Sequence, residues 1–168
     1  MENFAVIDFE TMGMSPGEKV RAVSVSLAVV KDGQVVERFH SLMNSGVLMP
    51  EDAEMLTGIT SEMLAEAPHA SVVMQKAFEL SANSTLVAHN APFHQAFWLF
   101  EMERAGLEKA ERPFLCTQKL AQRLYPKLQN HSLSSLHKQL GLSSTGTPGQ
   151  DETEADRVAQ LYLHLQPH

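Results

Sequence analysis

The sequence predicts an α/β fold with a mixed sheet. Two observations on the 168-residue chain indicate this class. Three strand-like segments joined by short turns come first, and such a run forms an antiparallel meander. Helical segments and a short apolar strand then alternate along the rest of the chain, as expected when helices cover the faces of a sheet.

The opening meander is predicted from hydrophobic patterning. Residues 4–10 form an apolar run that suits a buried strand and contains two acids. Residues 20–30 alternate valine and leucine with serine and alanine, which is the period of two expected for a strand. Residues 31–34 (Lys-Asp-Gly-Gln) have the composition of a hairpin turn, and residues 35–43 form the return strand.

The remaining elements are predicted from helical spacing, breakers and caps. Short helical turns are expected over residues 51–56 and from Thr60 or Ser61, and residues 85–88 form a short buried strand. Longer helices are expected over residues 68–80, 93–105, 115–124, 132–140 and 152–165. Residues 143–150 are rich in serine, threonine, glycine and proline, which predicts a flexible loop.

Composition restricts the classes of function. The net charge of −7 and pI of about 5.6 argue against broad nonspecific binding of duplex nucleic acid, which needs a basic face. They leave room for an enzyme whose metal ions engage phosphate locally. No apolar run approaches the ~20 residues of a membrane span. With Cys116 as the only cysteine, we expect a cytoplasmic protein with one domain over residues 1–168.

Two acids at the end of the first strand are the main candidates for chemistry. Asp8 and Glu10 are two residues apart, so on a strand their side chains face the same side. Adjacent carboxylates repel each other unless one is protonated or a cation lies between them, and hard divalent cations take several oxygen ligands. Such a pair also occurs where a strand ends and Asp8 simply faces water, so the pair alone leaves both interpretations open.

Several segments carry a resemblance to a known family. The stretch Asp8-Phe-Glu-Thr-Met-Gly13 has the pattern D-x-E-T-x-G, and Leu86-Val-Ala-His-Asn-Ala91 is followed by Phe93. Three further matches are residues 56–60 (Leu-Thr-Gly-Ile-Thr), the pairs Cys116-Thr117, Leu120-Ala121 and Tyr125-Pro126, and Asp156 early in the last helix. Taken in chain order, these five matches resemble the motifs of the DnaQ-like (DEDDh) 3′–5′ exonucleases over nearly the whole chain.

The resemblance implies a ribonuclease H-like fold, with a five-stranded mixed sheet flanked by helices. It also implies removal of nucleotides from single-stranded 3′ ends of DNA or RNA by means of two divalent ions, Mg²⁺ or Mn²⁺. In that scheme Asp8 bridges both ions, and Glu10 and Asp156 complete the site of the first ion. Some members of the family are dimers, so a homodimer is one expectation.

The resemblance also implies contacts with the substrate. Thr11, Met12 and Met14 follow the first motif and are expected to touch the 3′ end, with Met14 placed to stack on the terminal base. Asn90 in the second motif is expected to organise the strand-to-helix turn or to contact the substrate.

Two positions depart from the family pattern. His94 stands where the second motif carries an aspartate, and Asp151 stands five residues before Asp156, where the third motif carries a general-base histidine. The candidate catalytic set therefore still contains four acids and one histidine, which are Asp8, Glu10, Asp151, Asp156 and His94.

Three interpretations of this exchange stay open. In the first interpretation the site is degenerate and its activity is weak or lost, since loss of a general base alone costs about 10²–10⁴-fold in rate. Alternatively the exchange works, with Asp151 accepting a proton or holding a metal and His94 acting as base or metal ligand. In the third, Asp151 forms a capping box with Glu154, and His94 is an exposed first-turn residue.

The sequence therefore predicts a metal-dependent 3′–5′ exonuclease with weakened or altered activity, in which one of the two ions is lost if the site is degenerate. The alternative is a catalytically inactive exonuclease-fold domain that binds nucleic acid or serves as a scaffold.

Overall fold

The computed structural model describes residues 3–107, 112–142 and 152–167. Within these ranges the chain forms one five-stranded sheet and seven helices. The strands are β1 (Phe4–Thr11), β2 (Ala22–Lys31), β3 (Gln34–Leu42), β4 (Thr85–Ala88) and β5 (Phe114–Cys116). The helices are α1 (Glu51–Thr57), α2 (Ser61–Ala65), α3 (Ala70–Leu80), α4 (Ala91–Arg104), α5 (Thr117–Leu124), α6 (Leu133–Gln139) and α7 (Glu154–Leu165). None of these helices is long and apolar enough to cross a membrane.

The sheet is mixed, as predicted. Its strand order is β3-β2-β1-β4-β5, with β1 antiparallel to β2, β2 antiparallel to β3, and β4 parallel to both β1 and β5. The predicted hairpin turn joins β2 and β3. Asp32 and Gly33 adopt positive φ angles of 51° and 77°, which aspartate and glycine tolerate better than other residues and which tight hairpins require.

The two faces of β1 belong to two different cores. Ile7 and Phe9 pack with α3 and α4 on one face, and Phe4 and Val6 pack with α7 on the other. Because side chains alternate along a strand, Asp8 continues the row of Phe4 and Val6. The acids therefore project at the point where the apolar row on the α7 side ends.

Several predicted boundaries were wrong by one or two residues, and two of these differences have a clear physical reason. The helix expected over residues 115–124 starts at Thr117, because residues up to Cys116 form the short strand β5. Three residues are too few for a strand period to show in the sequence. The last helix starts at Glu154, since Thr153 is its N-cap and accepts a hydrogen bond from the Asp156 backbone N–H. The loop predicted over residues 143–150 lies outside the described residues.

A buried ion pair fixes the turn that follows β1. Arg21 donates through Nε and Nη2 to both carboxylate oxygens of Glu101 on α4, at 2.8 and 2.7 Å, and both side chains are buried. The carbonyl oxygen of Arg21 accepts from the Met12 N–H at 3.0 Å. The segment after the acids is thereby attached to the same helix that carries His94.

Candidate active site

A cavity of about 520 Å³ opens at the carboxyl end of β1. Five parts of the chain line it: the end of β1, the turn after β1, the end of α1, the first turn of α4 and the first turn of α7. The polar or exposed side chains among its lining residues are those of Asp8, Glu10, Met14, Leu56, Thr57, Asn90, His94 and Glu154. The structure thus brings together three of the predicted catalytic residues, Asp8, Glu10 and His94.

The carboxylates at this cavity affect one another. The pKa of Asp8 is raised to about 8, chiefly by burial and in addition by the charges of Glu154 and Glu10. The pKa of Glu10 is also raised, chiefly by burial; the charge of His40 opposes this rise and that of Glu154 adds to it. A concentration of negative charge that the protein does not neutralise is the environment in which a divalent cation binds.

His94 is oriented by a backbone group. Its Nδ1 accepts a hydrogen bond from the Phe9 N–H at 3.0 Å. The pairing of β1 with β4 ends at Val6, so Phe9 lies past the part of β1 that pairs with β4. A neutral imidazole whose Nδ1 accepts carries its proton on Nε2. Nε2 lies 3.5 Å from Asp8 Oδ1, so the Nε2–H faces that carboxylate.

The surroundings of His94 keep it neutral. Burial lowers its pKa to about 4, so the imidazole is uncharged at neutral pH. The interpretation of His94 as an exposed residue was wrong, because the side chain is buried. In this tautomer Nε2 is a hydrogen-bond donor, and it offers no lone pair to a metal or to a water proton.

Asp156 and Glu154 occupy different sides of α7. The Asp156 carboxylate accepts from Arg38 Nε at 2.9 Å and from the Thr153 N–H at 3.1 Å, and it is absent from the lining of the cavity. Glu154 lines the cavity and acts on the pKa of both Asp8 and Glu10. Residues two apart on a helix are rotated by about 200°, so the two side chains leave α7 on nearly opposite sides.

The predicted capping box was placed two residues too early. The box consists of Thr153 and Asp156, each side chain bonding the other's backbone N–H, and not of Asp151 and Glu154. Asp151 itself lies outside the described residues. Sequence reasoning missed Glu154, although the pattern Thr-x-x-Asp at residues 153–156 is a recognised helix-start signature. That pattern predicts that the Asp156 side chain bonds to the Thr153 N–H. Glu154 is not part of the capping box, and its side chain lines the cavity.

The predicted substrate residues divide into two groups. Met14 lines the cavity with 81% of its side chain exposed, and Leu56 lines it with 87% exposed. Asn90 also lines it and has a φ of 63° at the start of α4. In contrast, Met12 is buried, and the Thr11 hydroxyl donates to the Gly13 carbonyl oxygen at 2.6 Å. Only the first group presents side chains to a ligand in the cavity.

The acids do not form a preassembled metal site. In the part of the chain that the structure describes, no three His, Cys, Asp or Glu side chains are grouped closely enough to hold an ion. The donor chemistry fits a hard cation all the same, since three carboxylates share one cavity. Glu154 has half of its side chain exposed and makes a 3.4 Å ion pair with Arg157, so it is free to change rotamer.

Comparison with known proteins identifies the family. The sequence model of the family described as Exonuclease (RNase_T) matches residues 5–147. The chain belongs to this exonuclease family, which is DnaQ-like.

Curated relatives of this exonuclease chain are much longer proteins. It is 36% identical over 144 residues to the DNA polymerase III PolC-type of Bacillus cereus, which covers 86% of the chain and 10% of the relative. It is 28% identical to the 3′-5′ exonuclease DinG of Bacillus subtilis, covering 98% of the chain and 18% of the relative. The chain therefore spans about a tenth to a fifth of the length of these relatives.

Solved exonuclease structures share the fold. Exonuclease X in complex with 5′ overhanging duplex DNA superimposes with a TM-score of 0.73 at 26% identity, covering 96% of this chain and 90% of that one. The nuclease domain of 3′hExo, a DEDDh member bound to rAMP, gives a TM-score of 0.78 at 14% identity, covering 98% and 91%. The predicted ribonuclease H-like fold is confirmed.

Proposed function

We propose that the chain is a metal-dependent 3′–5′ exonuclease domain that acts on nucleic-acid 3′ ends with weakened or altered activity. The observation that carries this proposal is the meeting of Asp8, Glu10 and Glu154 at one open cavity. Membership of the exonuclease family supports the reaction class, and the departures at His94 and before α7 support the altered activity.

The residues proposed to hold the metal are Asp8, Glu10 and Glu154. Glu154 replaces Asp156 in this role, because the Asp156 carboxylate is bound to Arg38 and the helix cap. A bound Mg²⁺ or Mn²⁺ supplies activation of water and stabilisation of the leaving oxygen. Glu154 completes the ligand set by turning from Arg157 toward Asp8.

His94 supports a site for a single ion. His94 stands at the position where the second motif of the family carries an aspartate. Its neutral imidazole directs the Nε2–H at Asp8 Oδ1. A donor at this point orients the Asp8 carboxylate and adds no negative charge for a second cation. His94 is therefore proposed as a positioning residue, and the second ion of the family scheme is absent.

The substrate proposed for the cavity is the 3′ end of a single strand of DNA or RNA. Met14 and Leu56 are exposed apolar side chains at the cavity, and a terminal base that packs on them removes apolar surface from water. The strained backbone at Asn90 brings main-chain groups to the same opening. The net charge of −7 disfavours contacts with the phosphates of an extended duplex, so nucleic acid is proposed to bind at this local site.

A second candidate function is binding of 3′ ends without cleavage. Five residues before Glu154 stands Gly149, and five before Asp156 stands Asp151, so neither acid has a histidine at the family spacing. With His94 held as a donor, no general base is provided by the second motif. This observation favours a domain that binds nucleic acid or serves as a scaffold.

A cleavage assay separates the two functions. Labelled single-stranded DNA and RNA are incubated with Mg²⁺ or Mn²⁺ and the wild type, Asp8→Ala, or the double substitution His94→Asp with Gly149→His. Cleavage by the wild type that Asp8→Ala abolishes supports the exonuclease. Cleavage by the double variant alone supports the binding domain, and binding of 3′ ends by the wild type should then persist.

Two expectations rest on the sequence alone. A cytoplasmic location is proposed from the use of a single cysteine. A homodimer is proposed only from the resemblance. The mass of the sedimenting species in analytical ultracentrifugation would distinguish a dimer from a monomer.

A further inference from the structure

A second groove, of about 900 Å³, lies at the β5 edge of the sheet. It is separated from the active-site cavity by the first turn of α4. Ala91, Pro92 and Gln95 line the groove, whereas Asn90 and His94 line the cavity. The groove therefore opens on a different face of the same turn, and a ligand there leaves the cavity accessible.

One wall of the groove is an edge strand. β5 is last in the strand order and, among the strands that the structure describes, pairs with β4 alone; its three residues all line the groove. Leu115 at its centre has 44% of its surface exposed. An edge strand presents backbone N–H and C=O groups that an extended peptide pairs with as an added strand.

The charged lining of the groove is entirely basic. Lys119 and Arg123 lie one turn apart on α5 and are both exposed. Neither has an acidic partner among residues 3–107, 112–142 and 152–167. In a chain with a net charge of −7, two unpaired cations on an apolar groove are complementary to an acidic ligand.

We propose that this groove binds an extended acidic peptide segment of a partner protein, which adds as a strand to β5. Its apolar side chains pack on Leu115 and Leu120, and its carboxylates pair with Lys119 and Arg123. A nucleic-acid strand fits less well, because Phe114 is half-buried and Tyr162 is buried, so neither aromatic residue of the lining is exposed for base stacking. Tyr162 is buried and packs edge-on against Phe4 at 4.6 Å. The proposal is independent of the nuclease activity.

Fluorescence anisotropy with the folded chain tests this surface. The probe is a labelled hexapeptide that alternates aspartate with valine, compared with the same peptide carrying lysine for aspartate and with a labelled oligothymidine. Lys119→Glu with Arg123→Glu is the test variant. Lys31→Glu with Lys76→Glu is the matched control, since it makes the same charge change at exposed positions away from the groove.

Saturable binding of the acidic peptide is expected, weakened about tenfold or more in the test variant and retained within about twofold in the control.

Two versions of the peptide, N-methylated at odd or at even backbone positions, should differ in affinity, because only one set of N–H groups faces a neighbouring strand. No binding of the acidic peptide, equal binding by both variants, or equal binding of the N-methylated versions overturns the proposal. Charge-dependent binding of the oligothymidine alone overturns it in favour of a nucleic-acid track.

Discussion

The Asp156 carboxylate accepts a hydrogen bond from Arg38 Nε at 2.9 Å, which joins the first turn of α7 to the edge strand β3. The same carboxylate closes the capping box with Thr153. These bonds set the rotation of α7 about its axis and thereby place Glu154 in the lining of the cavity that contains Asp8. The Asp156 carboxylate is thus held by Arg38 and by the helix cap, and this is the basis for proposing Glu154 in its place as a metal ligand.

Asp156→Ala should lower the free energy of unfolding by about 1–3 kcal/mol, because it removes a cap and leaves the Thr153 N–H without its partner. Arg38→Ala should cost less, about 0–1 kcal/mol, since its side chain is half-exposed. Urea denaturation measures both. Equal stability of Asp156→Ala and the wild type would show that the capping box is not formed in solution.

Breaking the buried pair between Arg21 and Glu101 should be more costly. Glu101→Gln leaves the guanidinium in a buried position without its counter-charge, and the expected loss is about 3–5 kcal/mol. The double substitution Arg21→Met with Glu101→Leu should recover a large part of that loss, because both charges are removed together. Chemical denaturation of the wild type, Arg21→Met, Glu101→Leu and their double variant gives the coupling energy, and additive losses would contradict a direct ion pair.

Asp8 should make the metal-free protein less stable as pH rises. Its folded pKa of about 8 lies above the ordinary value of 3.8, so the folded state binds the proton more tightly than the unfolded state. Stability is then lost between about pH 4 and pH 8, at up to about 1.4 kcal/mol per pH unit. Asp8→Asn should remove this slope in thermal unfolding with EDTA. A parallel slope in wild type and variant would place the titration elsewhere.

His94 should contribute a pH dependence of the opposite sign. Its folded pKa of about 4 lies below the ordinary 6.5, so stability is lost as pH falls from about 6.5 to 4. His94→Asn should remove this loss and keep an acceptor for the Phe9 N–H. His94→Ala should cost a further ~1–3 kcal/mol at neutral pH, because that buried N–H loses its acceptor. Equal stability of the two variants at pH 7.5 would argue against the hydrogen bond.

The sequence predicts the sheet well because its signals are local and periodic. The alternation in β2 and the Asp32-Gly33 turn fix the meander, and the period of two places Asp8 and Glu10 on one face. β5 escaped prediction because a three-residue parallel strand is defined by its pairing with β4 and carries too few residues for a pattern.

The acid that we propose to complete the site was harder to predict, because the choice between Glu154 and Asp156 depends on helix phase. A shift of two residues along α7 exchanges the side that faces the cavity for the side that faces Arg38. Motif spacing alone pointed to Asp156, whereas the cap at Thr153 fixes the phase that selects Glu154. The role of His94 was equally inaccessible, since its orientation comes from the Phe9 N–H, 85 residues away in the chain.

A titration with Mn²⁺ tests the central claim that Glu154 and not Asp156 completes the acidic site. Calorimetry should be carried out on the wild type, Glu154→Gln and Asp156→Asn, each checked for folding beforehand. We predict that Glu154→Gln weakens binding about tenfold or more and that Asp156→Asn stays within about threefold. Binding lost in Asp156→Asn and kept in Glu154→Gln would contradict the account, and so would a wild type that binds no Mn²⁺.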